Sequence, residues 1–300
     1  MKDFSKNIIV PVNFSNDTDN SLEEAIFLSK LLKSKIHLIN IVSLGDWWNN
    51  MIITKDTKEK LYQLSLENLK KTAALHPETD FELKVLFGKV HEQILNYAES
   101  VNSELIILSD KHKEENENKI LGSIVTHVIT EAKCPVITIK NKIDTDFENI
   151  VIPIDLAEDT DRKVNAALAF NQYAKAKLHF VSILFEGVGN RNIRTRRKVK
   201  HIEKKLKKYN ANYTYNLLRK KRTYAYHDVL EYADKVNADL IIIMTHKERY
   251  SFDNYIGAFA HRIINYSQVP VMTITSQAVT SDKHTVINKF VDPLGIFKPE

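Results

Sequence analysis

Four polar residues stand where short β-branched runs end: Asn13 and Ser109 in the first half of the sequence, Asp155 and Thr245 in the second. The carboxyl ends of parallel strands are where open α/β sheets take their ligands, at the switch point of strand order. Each pair is followed by a glycine that opens a predicted helix, Gly122 or Gly257. The N–H groups at such a helix start suit an anion. Hydrogen bonding and anion contact are the chemistry these residues offer.

Motifs for bond making are missing. No GxxxxGK(S/T) loop exists, and Gly88-Lys89 is an isolated pair. Gly187-Val188-Gly189 lacks the third glycine of a dinucleotide fingerprint and opens no helix. No GxSxG, HExxH or CxxC occurs. The histidines are scattered without metal-ligand spacing, and no metal is expected. His37 and His179 fall mid-strand and are expected to be buried structural residues. Cys134 precedes Pro135 at a strand entrance and reads as a small buried hydrophobe rather than a nucleophile. No catalytic residue is nominated.

The elements that carry these residues occur twice. Asn7–Asn13 (NIIVPVN) returns 142 positions later as Asn149–Asp155 (NIVIPID), each a buried-strand pattern with an Asp/Thr cluster behind it. Helices follow on Leu22, Ala25, Ile26 and Leu32, and on Val164, Ala167, Leu168 and Tyr173. Second strands lie at Ile36–Val42 and Leu178–Leu184, amphipathic helices at Thr57–Leu75 and Arg196–Tyr209, and third strands at Phe81–Leu86 and Tyr213–Leu218. Further helices run through Ile94 and Ala98, and through Val229 and Ala233. Fourth strands cover Glu104–Ser109 and Asp239–Thr245, and last strands are entered through Pro135 and Pro270. Alternating strands and helices predict two doubly wound, mostly parallel sheets of about five strands, with helices on both faces. The expected domains are 1–143 and 147–276, joined by a polar linker at Asn141–Phe147 and followed by a tail, 277–300.

Composition narrows the class. A chain of 300 residues with 43% hydrophobic content can build two cores. A mean hydropathy of −0.30 and few Gly and Pro argue against membrane and fibrous classes. One cysteine permits no internal disulfide, so a reducing, cytoplasmic setting is expected. Between Gly187 and Arg222, fourteen Lys/Arg face one acidic residue, Glu203, while the remainder is net acidic. That segment reads as a solvated helix face, with a polyanion or acidic-protein contact through residues 191–222 as the alternative. Aromatic interleaving of the single-strand-binding kind is missing, so nucleic acid is not the expected partner.

Laid out this way, residues 6–276 resemble a tandem universal stress protein. Five features carry the resemblance in both halves: the IIVP or VIPI strand, the Asp-rich turn and helix, the second strand, the ELII or DLII fourth strand, and the Gly-helix-(C/V)PV ending. The resemblance implies that ATP-binding members hold adenosine with an Asp after strand one and phosphates with a G-x2-G-x9-G-(S/T) loop. The first half has Asn13 at the Asp position and Ser109, His112, Gly122 and Ser123 along the loop, with carboxylates Glu114, Glu115 and Glu117 between. The second half keeps Asp155 but reads Met244, Lys247, Gly257 and Ala258. Neither half satisfies the pattern.

The expectation is a non-catalytic cytoplasmic stress-response binding or regulatory module with degenerate nucleotide loops. Its last strands are implied to pair as an internal pseudo-dimer, with a homodimer also open. The second-half cleft, lined by Pro153, Asp155, Thr245, His246 and Gly257, is the better ligand candidate, and Asn13, Ser109, Gly122 and Ser123 line the degenerate first one. No cofactor is expected. A weak ATP-binding or slowly hydrolysing switch in the second-half cleft is the alternative, and the expected partners are proteins, with no membrane.

Overall fold

The computed structural model describes residues 7–14, 18–43, 54–109, 121–140, 147–154, 160–185, 191–220, 225–245 and 257–275. The first half runs β1 (Asn7–Pro11), α1 (Thr18–Leu32), β2 (Lys35–Val42), α2 (Lys55–Ala74), β3 (Phe81–Phe87), α3 (Val90–Ser100), β4 (Leu105–Ser109), α4 (Ser123–Glu131) and β5 (Val136–Ile139). The second half repeats the order as β6 (Asn149–Pro153), α5 (Thr160–Ala174), β7 (Lys177–Phe185), α6 (Arg191–Lys208), β8 (Tyr213–Lys220), α7 (Ala225–Lys235), β9 (Leu240–Thr245), α8 (Ala258–Tyr266) and β10 (Val271–Thr275). The α6 helix begins five residues earlier than its apolar stripe suggests, because the stripe marks only the packed turns.

The two five-stranded sheets pair through their last strands, as the resemblance implies. They join in one ten-stranded sheet, ordered β3-β2-β1-β4-β5-β10-β9-β6-β7-β8. Eight neighbouring pairs are parallel, and at the centre β5 and β10 run antiparallel with Val271 opposite Thr138 and Thr273 opposite Val136. This pairing covers the edge that each half would otherwise expose.

Helices on both faces explain the continuous apolar runs: Ile8, Ile9 and Val10, and Ile150, Val151 and Ile152, are all fully buried. The repeat extends to backbone geometry. Lys33 and Lys175 end the first helix of each half at φ 54 and 53, and Asn102 and Asn237 follow the third at φ 49 and 48. These are left-handed positions that stop a helix.

The expected polar linker ends differently. Residues 141–146 lie outside the described residues, but Phe147 is a core residue, 3% exposed. Its ring lies 5.7 Å from Phe27 of α1 and 5.4 Å, edge to face, from Phe170 of α5. A large aromatic ring gains most by burial, so the connection packs between the first helices of the two halves.

Candidate functional site

Each half opens a crevice where its strand order reverses. β1 pairs with β2 over five residues, but with β4 only at Ile8–Leu105 and Ile9–Ile106. β6 likewise pairs with β7 over five residues and with β9 only at Ile150–Leu240 and Val151–Ile241. Toward their carboxyl ends the pairing of these inner strands stops, at the switch point where open α/β sheets take their ligands.

In the first half, Val12 N–H donates to Ile39 O at 2.8 Å, which holds the chain leaving β1 against β2. The Asn40 amide donates to Val12 O at 2.7 Å, and Ser65 of α2 donates to Asn40 Oδ1 at 2.5 Å. The floor beneath Asn13 is thus fixed by a buried polar chain. Asn13 itself is exposed, Ser109 ends β4 half-buried, and Gly122 and Ser123 are exposed at the start of α4.

Gly122 and Gly257 occupy equivalent N-cap positions, each without a side-chain capping bond and without an acidic residue in the first helical turn. Their carbonyls accept the first helical bonds, from Thr126 N–H at 2.9 Å and His261 N–H at 3.1 Å. A Cβ added at either would meet nothing within 4 Å. Open space therefore faces both helix starts, an arrangement suited to an anion.

In the second half, Pro153 ends β6 buried and its carbonyl accepts a hydrogen bond from Lys163 Nζ at 2.7 Å. Lys163 is a site residue that sequence patterning misses, since a lysine one turn into a helix reads as solvated. Thr245 ends β9 but is 3% exposed, and its hydroxyl donates to Ile129 O in α4 of the other half at 3.1 Å. Thr245 thus borders the crevice through its backbone, with its side chain tied across the halves. Asp155 and His246 lie outside the described residues.

One further cluster escapes the sequence reading. The first turns of α7 bring ligand atoms of His227, Asp228 and Glu231 within 4.8 Å of one another, with Asp228 buried and the others exposed. The spacing i, i+1, i+4 is legible once a helix is drawn there. The positive end of that helix stabilises the carboxylates and opposes an added cation.

Comparison with known proteins decides the kinship. Residues 5–140 match the Universal stress protein family. The first half of the chain is thus similar to universal stress proteins. Universal stress protein MJ0531 of Methanocaldococcus jannaschii is 26% identical over 146 residues, 45% of this chain and 82% of that protein. A putative universal stress protein of Staphylococcus aureus (strain USA300) is 23% identical over 158 residues, 51% of this chain and 95% of that protein. Among solved structures, a universal stress protein of Archaeoglobus fulgidus DSM 4304 superposes with a TM-score of 0.71 at 17% identity, over 90% of this chain and 98% of that one. A putative universal stress protein from Pseudomonas aeruginosa UCBPP-PA14 gives 0.61 at 16% identity, over 96% of each. At that identity the likeness shows the fold alone, over both halves of the chain.

Proposed function

We propose that this chain is a tandem universal stress protein, a non-catalytic cytoplasmic module that binds a ligand in its second half and transmits that state to protein partners. The parting of β6 from β9 beyond Val151 and Ile241 carries the proposal. It leaves an opening with Lys163 at the end of β6 and the uncapped start of α8 nearby in the fold. The sequence adds Asp155 just past β6, a residue able to accept hydrogen bonds from a ribose or base. The first-half opening has Asn13 in that place and three carboxylates in its loop, which repel phosphates. Among the described residues, no helix is long and apolar enough to cross a membrane.

A weak ATP-binding switch in the same second-half opening is the alternative, favoured by the helix start at Gly257, which has no side-chain capping bond among the described residues. Native mass spectrometry of the intact chain with and without millimolar ATP and Mg²⁺ separates the two. No increment is the expected result and moves the search to protein partners. A nucleotide-sized increment at one copy per chain, lost in Asp155→Ala, establishes the switch instead.

A further inference from the structure

We infer that the outer face of α6 is a docking surface for the phosphate backbone of a nucleic acid, bound without sequence readout. The argument is a comparison of two helices that hold equivalent places in the repeat. α2, the first-half counterpart, carries five lysines and three carboxylates. Its cations find partners on the same helix, Lys60 with Asp56 at 2.6 Å and Lys71 with Glu67 at 2.8 Å. That is a solvated face carrying its own counterions.

α6 holds the same position with ten Lys/Arg and one carboxylate, Glu203, four residues before Lys207. Lys200, Lys204 and Lys208 are exposed and spaced i, i+4, i+8, so like charges sit one above another and destabilise the isolated helix. Among the described residues, Asp161 of α5 pairs with Lys205 at 3.0 Å and with His201 at 3.1 Å. The exposed cations Lys200, Lys204, Lys207 and Lys208 lie on the helix that leads into β8, the terminal strand of the ten-stranded sheet.

The chemistry of these cations selects the occupant. A protein interface needs apolar or aromatic anchors at its centre, and a membrane-seated helix needs an apolar face to insert. On α6, Ile202 and Leu206 are buried in the core, at 2% and 1% exposure, and Tyr209 packs against it. The face left over offers charge alone. A polymer of phosphates is the partner whose binding rests on charge alone, through release of its condensed counterions. The ring beside these cations, Tyr209, packs against the core with Lys208 Nζ over it at 5.9 Å from the centroid, so bases are not stacked and contact is confined to the backbone.

The test is fluorescence anisotropy of the full chain with a labelled mixed-sequence duplex of about 20 base pairs, between about 50 and 300 mM salt. Binding is expected at the low end and is expected to fall steeply with salt. Converting Lys200, Lys204, Lys207 and Lys208 together to Gln should weaken it at least about tenfold and make the slope of log K against log salt shallower by about 3 to 4. The variant's melting temperature should hold or rise, since like charges are removed. Lys60→Gln with Lys71→Gln, on α2, should change neither affinity nor slope. The inference is overturned by no binding at low salt, by binding that survives the four substitutions, or by polyglutamate competing as well per charge as the duplex, which would point to an acidic protein.

Discussion

The Nε2 of His37 lies 3.0 Å from the Oδ1 of Asn7, and the relationship is duplicated by His179 and Asn149 at the same 3.0 Å. The Asn7 amide nitrogen donates to Val101 O at 2.6 Å, so its oxygen faces the ring and Nε2 carries the proton. Nδ1 then accepts from the Tyr97 hydroxyl at 2.9 Å. In the second half, Thr214 at 2.9 Å and Tyr232 at 3.3 Å surround the equivalent nitrogen. Each neutral imidazole ties the start of one strand to the third helix of its half.

Both histidines should make stability depend on pH in one direction. Burial holds each below the ordinary histidine value of 6.5. The unfolded chain therefore binds more protons than the folded one just below that value, and stability falls as pH drops from about 6.5. His37→Ala leaves Asn7 and Tyr97 without this partner and should cost on the order of 2 kcal/mol at neutral pH. Urea unfolding of the wild type and the variant across pH checks both statements.

Glu24 on α1 should act with the opposite sign. It is 5% exposed, and burial pushes its carboxyl from 4.5 up to about 7. The folded chain holds this proton more tightly, so the residue costs stability as pH rises from 4.5 to about 7. Glu24→Gln should stabilise the protein by on the order of 2 kcal/mol at pH about 8 and by little at pH about 4. Thermal unfolding at the two pH values reads the difference.

Cys134 should be inert in the native protein. It is buried and its thiol is pushed up to about 12, chiefly by desolvation. Thiolate is the reactive form, so a disulfide reagent at pH about 8 should label less than about a tenth of native chains within minutes and label all of them in denaturant. Rapid native labelling would show that the entrance to β5 opens readily.

The junction of the halves offers a fourth test. Thr245 and Thr275 are neighbours in register on β9 and β10, and both donate into the last turn of α4, to Ile129 O at 3.1 Å and Ala132 O at 2.8 Å. Helix ends leave carbonyls in need of such donors. Each Thr→Val change should cost about 1 kcal/mol, and the double variant should depart from additivity because the two side chains adjoin. Denaturation midpoints of the two single variants and the double give the coupling directly.

Much of this protein was legible from local pattern. The twofold strand-helix order, the burial of Ile8–Val10 and Ile150–Ile152, the structural role of His37 and His179, and the family likeness of the first half follow from runs and spacings repeated at fixed offsets. Such signals survive in sequence because a strand covered on both faces must be apolar throughout, and because a duplicated pattern supplies its own control. Strand ends also nominated the two candidate sites, at Asn13 with Ser109 and near Pro153 with Thr245.

What a side chain does in the fold depends on atoms that no local pattern brings beside it. Tertiary structure turned the Thr245 hydroxyl toward Ile129, brought Lys163 onto the Pro153 carbonyl, and packed Phe147 between Phe27 and Phe170. It also limited β1–β4 and β6–β9 pairing to two residues, which creates the openings. Periodicity records whether a position is buried. It holds no record of which distant carbonyl or ring fills the space beside it, and that is decided by packing.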